Sequence, residues 1–247
     1  MFSIFKKSKS TRVDLSIIGT DMHSHLLPGI DDGAEDTDMS LQLIAALQDL
    51  GYKQFITTPH IYRDLYKNDA TTITSAHARL QQALLQQENR VPIRPAAEYF
   101  LDDHFDHLLD TNTPLLPIFD NYVLVEFSFA SPPLNFKEKL FNMQLQGYQP
   151  IVAHPERYLY ARANKEWFDE LKHAGCRLQL NILSLTGYYG KASQQLAHYL
   201  IDKNYISFVG TDCHHFRHIE ALRAGGAAIM QPLQSMLDAG LLLNTRL

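Results

Sequence analysis

One pattern recurs along most of this chain: a helical stretch, a residue that ends it, a short apolar run and then a polar side chain. Gly51, Gly147, Gly175 and Asn204 each follow a predicted helix, and an apolar run begins within a few residues of each. Glycine and asparagine are common there because they tolerate the left-handed backbone that closes many helices. Helices that alternate with short strands are typical of parallel strands joined by right-handed crossovers. The chain is therefore predicted to be an α/β protein.

Seven strands of this type can be counted, and a closed or nearly closed barrel of that size fits 247 residues. No low-complexity stretch or linker divides the chain, so we predict a single domain over 15–247 that follows an extension at 1–14. The strands are predicted at 15–25, 52–58, 91–98, 122–127, 150–153, 177–181 and 206–212. The helices are predicted at 34–50, 72–89, 102–110, 135–146, 164–174, 192–203, 218–230 and 232–239.

The composition excludes several classes of protein. With 45% hydrophobic and 20% charged residues, and with 13 Phe and 12 Tyr, the chain can bury a core and is not disordered. A formal net charge of -5 offers no electrostatic attraction to nucleic acid, and two cysteines do not make a disulfide framework. No run approaches the roughly 18 apolar residues of a stable membrane span. The chain is therefore expected in the cytoplasm.

The first ten residues combine three lysines with the apolar side chains of Phe2, Ile4 and Phe5. They lack the continuous apolar segment of a signal peptide. Two interpretations of this segment stay open, a frayed tail and a weak contact with an anionic membrane.

Side chains of the kind that bind metals follow six of the seven predicted strands. In a barrel of parallel strands the carboxyl ends meet on one face, where active sites are built. The remaining strand ends in Asn181, which is merely polar, and Asp32 adds a carboxylate from the first loop. The strand-end residues of this set are His23, His25, His60, Glu98, Glu126, His154, Asp212 and His214.

With Asp32, these side chains comprise five imidazoles and four carboxylates, too many for one ion. They suit two or three cations bridged by carboxylates, and the mixture of nitrogen and oxygen donors favours Mn²⁺, with Fe, Zn or Mg as alternatives. Bridged cations lower the pKa of a shared water and clamp the oxygens of a phosphoryl group. Arg157, three residues after His154, is placed to bind phosphate through two hydrogen bonds, and Arg217, soon after His214, is a second candidate.

These residues carry a family resemblance. The chain resembles the PHP (polymerase and histidinol phosphatase) superfamily, and within it the CpsB/YwqE-type bacterial tyrosine-protein phosphatases. The superfamily motifs are Asp21-x-His23-x-His25, Thr58-Pro59-His60, Glu98, Val125-Glu126, Ala153-His154-Pro155 and Thr211-Asp212-x-His214. The narrower likeness rests on Leu26-Leu27-Pro28-Gly29-Ile30-Asp31-Asp32-Gly33 and on His154-Pro155-Glu156-Arg157. The resemblance covers nearly the whole chain, from about Ile17 to Met230.

The resemblance implies a distorted seven-stranded barrel and a manganese-dependent, trinuclear site. It also implies that the nine side chains above are ligands and that Arg157 binds the phosphate. The substrate it implies is an autophosphorylated tyrosine kinase, bearing phosphotyrosine in its tail, that controls capsule or exopolysaccharide export. One departure is Cys213-His214-His215, because an asparagine is expected after the second motif histidine. Whether His215 competes as a ligand stays open.

Two alternatives to a tyrosine phosphatase also stay open. A small-molecule phosphatase of the histidinol-phosphate kind would use the same metals with a different pocket. A PHP-like binding domain without catalysis would lack a ligand, and none is missing here. A cysteine-based tyrosine phosphatase is excluded, because the Cys-x5-Arg spacing places Ile182 after Cys176 and Ile219 after Cys213 where an arginine is needed.

The choice between a phosphoprotein and a small molecule depends on the depth and the rim of the pocket. Several tyrosines fall in or near the strand-end loops, where they could flank a phenyl ring or could pack locally. These are Tyr62, Tyr66, Tyr99, Tyr158, Tyr160, Tyr188 and Tyr189.

Overall fold

The structure is a computed structural model that describes residues 11–133 and 135–247. The segment predicted as a tail, 1–10, lies outside the described residues. The strands are β1 (Thr20–Asp21), β2 (Gln54–Thr57), β3 (His60–Ile61), β4 (Ile93–Pro95), β5 (Glu98–Phe100), β6 (Tyr122–Glu126), β7 (Gln149–Ala153), β8 (Arg177–Asn181) and β9 (Ile206–Gly210). The α-helices are α1 (Thr37–Asp49), α2 (Ala70–Gln86), α3 (Asp103–Asp110), α4 (Phe136–Leu145), α5 (Glu166–His173), α6 (Lys191–Asp202) and α7 (Phe216–Asp238).

All strand pairs of the two sheets are parallel, which confirms the predicted α/β fold. One sheet has the order β1-β2-β4, and the other has the order β3-β5-β6-β7-β8-β9. The nine strands exceed the seven predicted ones because two of these are interrupted. β2 lies within the predicted strand 52–58 and β3 begins beyond it, after an interruption at Thr58 and Pro59; β4 lies within the predicted strand 91–98 and β5 begins at its last residue. Pro59 contributes to the first interruption, since proline has no N–H for a sheet ladder.

The first and last of the seven strands also meet. Ser24 forms a parallel bridge with Cys213, and the amide of Asp212 donates a hydrogen bond to the carbonyl of His23 over 2.8 Å. The amide of His25 donates in turn to the carbonyl of Cys213 over 3.0 Å. The order of the strands therefore returns to its start, and their carboxyl ends surround a common centre.

Two hydrophobic clusters show which way the strand residues point. The larger cluster joins the strands to the helices, whereas the smaller one consists of Met22, Ile56, Ala96, Ile118, Leu124, Ile151, Ala153 and Phe208. On β6 the buried Val123 and Val125 belong to the larger cluster and Leu124 to the smaller. Because side chains alternate along a strand, Glu126 points the same way as Leu124. The space between the strands is thus filled by apolar side chains, and polar side chains lie at the carboxyl ends of the strands.

The helices begin and end close to the predicted positions because their caps are encoded locally. The carboxylates of Asp36, Asp69 and Asp102 accept hydrogen bonds from backbone amides in the first turns of α1, α2 and α3. The residues predicted to close helices, including Gly51 and Asn204, have the positive φ expected of them. Of the described helices, none combines the length and apolar character that a bilayer span requires.

The first predicted strand is mostly wrong. Leu15–Ile17 forms a 3-10 helix, whose first turn is stabilised by a hydrogen bond from the Ser16 amide to the Asp14 carboxylate over 3.0 Å. Gly19 then takes a φ of 80° and redirects the chain, so that β1 covers Thr20–Asp21 alone. The apolar side chains of this segment can be buried from a short helix as well as from a strand. The apolar run alone therefore does not distinguish the two, which is why the prediction was wrong.

The predicted break between the last two helices is also misplaced. Helical hydrogen bonding runs from Phe216 to Asp238, and the kink lies at Gly226 rather than before Pro232. Gly226 has a φ of 47° and a ψ of -128°, which glycine adopts at little cost. The change of direction is therefore made by glycine, and the helix continues through Pro232.

Candidate metal centre

The nine side chains predicted from the strand ends lie together in the structure. Their ligand atoms form four overlapping groups, and within each group the atoms lie within 4.8 Å of one another. The groups are His25, Asp32, His60 and His214; His23, His154 and Asp212; His23, His25 and Glu98; and His60, Glu98 and Glu126. Because four residues belong to two groups each, neighbouring cations in such a site would share ligands.

Glu98 lies at the middle of this arrangement and is fully buried. Its Oε2 atom is 3.2 Å from His23 Nε2, 3.4 Å from His25 Nε2 and 3.2 Å from His60 Nδ1. Its Oε1 atom is 3.1 Å from His154 Nε2. A carboxylate that faces four imidazoles with both oxygens has the geometry of a bridge between cations.

Asp212, in the loop after β9, is a second carboxylate that lies close to several histidines. Its Oδ1 atom is 3.4 Å from His23 Nε2, His25 Nε2 and His214 Nδ1. Its Oδ2 atom pairs with Arg157 Nη1 at 2.5 Å. Asp212 has a φ of 51°, a left-handed backbone that aspartate tolerates better than most residues.

Asp32 and Glu126 complete the set at its edges. The Asp32 carboxylate is half exposed and lies 3.5 Å from His60 Nε2 and 3.4 Å from His214 Nε2. The Glu126 carboxylate is buried and lies 3.6 Å from His154 Nε2 and 3.9 Å from His60 Nδ1. Solvent therefore reaches the centre on the side of Asp32.

The electrostatics of these carboxylates favour a bound cation. Burial raises the pKa of Glu126 well above its usual value, and the charges of Glu98 and Asp212 raise it further. Burial also opposes ionisation of Glu98, but the nearby His23 and His60 hold the pKa of Glu98 well below its usual value. Buried carboxylates that repel one another are stabilised by divalent cations placed between them.

Two imidazoles provide an independent test of whether the donors fit metal ions. Within the described residues, the Nδ1 atoms of His60 and His154 are buried and have no hydrogen-bond partner. Burial, together with the positive charge of Arg157, lowers the pKa of His154 to about 4, so its ring is neutral at pH 7. A neutral imidazole is the form that binds a metal. The donor set therefore fits a group of divalent cations.

Two further residues orient the histidines and were not predicted as site residues. Asp31 Oδ2 lies 2.8 Å from His25 Nδ1, and Gln179 Oε1 lies 2.9 Å from His23 Nδ1. Each contact leaves the Nε2 atom of its histidine directed at the centre, which is the usual arrangement around metal-binding histidines. Gln179 carries a signal that could have been used, because it lies two residues before Asn181 and therefore on the same face of the strand.

Arg157 is held beside the centre by three contacts. Besides its ion pair with Asp212, its guanidinium carbon lies 4.2 Å from the ring centre of Tyr189 and 4.9 Å from that of Phe129. Asn181 Nδ2 donates hydrogen bonds to Asp212 Oδ2 over 3.1 Å and to the Tyr189 hydroxyl over 3.2 Å. Asn181, which was predicted to be merely polar, thus supports both Asp212 and Tyr189 beside Arg157.

Glu156, next to Arg157, is fully buried behind the centre. Its Oε1 atom accepts hydrogen bonds from Ser184 Oγ over 2.6 Å and from the Asn181 amide over 3.1 Å. Its Oε2 atom has no partner among the described residues. Burial raises the pKa of Glu156 to about 7, and these hydrogen bonds oppose the rise.

The structure places Arg217 and His215 outside the four groups. Arg217 is exposed in the first turn of α7 and makes no hydrogen bond or ion pair with another described residue. The His215 ring packs 4.0 Å from that of His218, and His215 belongs to none of the ligand groups of the described residues.

The seven tyrosines divide into two kinds. Tyr99 and Tyr158 are fully buried and pack locally, and Tyr160 stands edge-on to Trp167. Tyr66 instead stacks on His60 with 5.3 Å between ring centres, and Tyr189 contacts Arg157. Farther along the rim Tyr62 stacks on Phe100, and Tyr188 packs against Tyr189 and His218.

Neither cysteine has the properties of a nucleophile. Cys176 and Cys213 are buried, and burial raises the pKa of the Cys176 thiol to about 12. Burial likewise raises the pKa of Cys213 far above its usual value. Reactive cysteines need the opposite shift, so chemistry at this centre does not depend on a thiolate.

Fold and site together define a class: α/β proteins in which parallel strands gather a cluster of His, Asp and Glu side chains that could hold metal ions. The chain belongs to the CpsB/CapC family of capsular polysaccharide synthesis, whose family model matches residues 19–226.

Individual relatives agree with this assignment. The chain is 31% identical over 198 residues to the tyrosine-protein phosphatase YwqE of Bacillus subtilis, covering 80% of this chain and 78% of that protein. It is 25% identical over 201 residues to the tyrosine-protein phosphatase CpsB of Streptococcus pneumoniae, covering 79% and 82%. Among solved structures, this fold matches a chain from the crystal structures of YwqE and CpsB with a TM-score of 0.78. Those two proteins are described as metal-dependent tyrosine phosphatases. That match has 28% identity and covers 87% of this chain and 86% of the other.

Proposed function

We propose that this chain is a metal-dependent protein tyrosine phosphatase. The observation that carries the proposal is the arrangement of nine ligand-type side chains in four overlapping groups around Glu98, with Arg157 beside them. The relatives named tyrosine-protein phosphatases support the same reaction. Hydrolysis of a phosphomonoester needs an activated water and a means of neutralising the phosphoryl charge, and the centre offers residues for both.

In this proposal the ligands are His23, His25, Asp32, His60, Glu98, Glu126, His154, Asp212 and His214, and they hold two or three ions. The mixture of imidazole and carboxylate donors favours Mn²⁺, with Fe, Zn or Mg as alternatives. Bound cations would supply Lewis acidity towards the phosphoryl oxygens and would lower the pKa of a coordinated water. Asp31 and Gln179 keep two of the histidines correctly oriented.

Arg157 is proposed to bind the phosphoryl group without holding metal. Only its Nη1 atom is engaged by Asp212, so other N–H groups of the planar guanidinium can donate to phosphate oxygens. Asp212, Tyr189 and Phe129 fix the position of the guanidinium before substrate binds. Arg217, exposed near the start of α7, is proposed as a second cation for the same anion.

The leaving group supports tyrosine over serine or threonine as the phosphorylated residue. A tyrosine phenolate has a pKa near 10 and departs more readily than an alkoxide, so it needs less help from a general acid. We propose that the substrate is a phosphotyrosine protein of the cytoplasm, a tyrosine autokinase of capsule or exopolysaccharide biosynthesis. The family's description as capsular polysaccharide synthesis supports that partner.

The test of this proposal compares substrates that differ only in the phosphorylated residue. Values of kcat/KM are measured for matched phosphotyrosine, phosphoserine and phosphothreonine peptides, and for histidinol phosphate. The proposal predicts that the phosphotyrosine peptide is cleaved well ahead of the other three. Equal values for the peptides, or a large advantage for histidinol phosphate, would show that the substrate is a different one.

A further inference from the structure

Phe129 is an aromatic side chain at the centre that no motif of the sequence singled out. It lies in the loop that follows β6, three residues after Glu126. Its carbonyl accepts a hydrogen bond from the Leu159 amide over 3.1 Å, which ties this loop to the segment that follows Arg157. The side chain is 37% exposed, although its neighbour Phe127 is fully buried in an aromatic cluster.

The ring of Phe129 covers two residues of the centre at once. It stacks on the His154 ring, with 5.7 Å between centres and 13° between planes. Its centre also lies 4.9 Å from the guanidinium carbon of Arg157. The second ring on Arg157, that of Tyr189, is partly buried and its hydroxyl is bound to Asn181. Of these two rings, Phe129 is therefore the one that presents a free apolar surface.

The chemistry of the proposed substrate places a ring close to this surface. In phosphotyrosine a single bridging oxygen separates the phosphorus from the phenyl ring, so a phosphate bound by Arg157 brings that ring next to the arginine. Aromatic rings gain from offset or edge-to-face contacts beyond the burial of their area. An alkyl phosphate offers no ring and gains nothing from such a contact.

We propose that Phe129 is the platform on which the phenyl ring of the substrate packs, and that it determines the preference for aryl over alkyl phosphates. The inference rests on the proposed function, because it names the feature that selects the substrate of the same site. A ring that served only to cover Arg157 would affect aryl and alkyl ligands equally, and this difference can be measured.

The experiment compares inhibition of the Mn²⁺-loaded protein by phenylphosphonate and by methylphosphonate, which have no leaving group to complicate the result. In Phe129→Ala the inhibition constant for phenylphosphonate should rise about three- to tenfold relative to that for methylphosphonate, the scale of one aromatic contact. Phe129→Trp should retain most of the preference, and Phe129→Leu should lose part of it. The kcat/KM ratio for phosphotyrosine over phosphoserine peptides should fall most in Phe129→Ala, less in Phe129→Leu and least in Phe129→Trp.

Two control variants make the outcome specific. Phe141→Ala removes an exposed phenylalanine of α4 and should leave the aryl-to-alkyl ratio as it is in the wild type. Tyr66→Ala removes the ring that stacks on His60. An unchanged ratio in Phe129→Ala, or a fall that occurs in Tyr66→Ala instead, would overturn the inference. Failure of the proposed function is a separate result, seen in the wild-type protein itself as equal kcat/KM values for the peptides or a large advantage for histidinol phosphate.

Discussion

At the scale of single residues, Arg157 is the side chain to which the proposed function assigns phosphate binding. It is only 21% exposed, and its partner Asp212 is almost fully buried. The carboxylate of Asp212 and the rings of Tyr189 and Phe129 all contact the guanidinium. Preorganised charged donors of this kind stabilise a transition state because they need no rearrangement when charge develops.

Arg157→Ala should lower kcat for a phosphotyrosine peptide by roughly 10²-fold or more, the scale of losing one such donor. Arg157→Lys should recover only part of the loss, since an ammonium cannot form the two parallel hydrogen bonds of a guanidinium. The metal content, measured by elemental analysis, should match that of the wild type.

The control for this prediction is Arg177→Ala, which removes an exposed arginine at the start of β8. Wild-type turnover in Arg157→Ala would show that the arginine has only a structural role.

The residues that sequence reasoning identified are those whose position follows from topology alone. Glu126 ends β6, and His60 and Glu98 begin β3 and β5, the short strands that follow β2 and β4. Parallel strands bring these positions together whatever the loops do. Asp31, Gln179 and Phe129 were missed because their contacts depend on loop paths and on which ring nitrogen faces inward. These features arise only from the folded structure.

At the scale of elements, the centre depends on sharp turns where strands end. His154 has a φ of 32° and Asp212 a φ of 51°, so each enters its loop through a left-handed backbone. Gly33 lies where the first loop crosses the chain at His25. A Cβ atom at position 33 would be 2.2 Å from the His25 carbonyl oxygen and 2.4 Å from the His25 Cβ. The loop that carries Asp32 therefore approaches the centre only because residue 33 is glycine.

Gly33→Ala should displace this loop and weaken the cation group that includes His25 and Asp32. We expect fewer bound Mn²⁺ ions per chain and a loss of about 1–3 kcal/mol in the free energy of unfolding, typical of an overpacked position. Metal content and urea unfolding measure the two effects.

The matched control is Gly240→Ala, where no described atom outside the adjoining residues lies within 4 Å of the added Cβ. It strains a positive φ but should leave the metal content unchanged. The role given to Gly33 would be refuted by an alanine variant with full metal content and wild-type stability.

The elements themselves were predicted to different degrees. Helices closed by glycine or asparagine, and the apolar strands that follow them, were found because both signals are local. The segment Leu15–Ile17 was predicted as a strand because its apolar side chains suit either conformation; in the 3-10 helix Leu15 is buried and Ile17 is partly buried. A break was predicted between the helices 218–230 and 232–239, whereas the kink lies at Gly226, inside the first of these predicted helices.

At the scale of the whole molecule, the fold gathers buried carboxylates at one place, where divalent cations would offset the repulsion between them. Parallel strands bring four carboxylates and five imidazoles to one end of an apolar interior. Burial of like charges is costly unless opposite charges lie among them. In the proposed function this arrangement couples catalysis to cation binding, in agreement with the description of YwqE and CpsB as metal-dependent tyrosine phosphatases.

The most direct test of this account measures turnover of a phosphotyrosine peptide by chelator-stripped protein as Mn²⁺ is added, with bound metal counted by elemental analysis. The stripped protein should be inactive, and activity should return with two or three ions per chain. Glu98→Gln should bind fewer ions and stay inactive, whereas Glu138→Gln, on the exposed side of α4, should recover like the wild type. Full turnover by stripped protein that holds no metal would contradict the account.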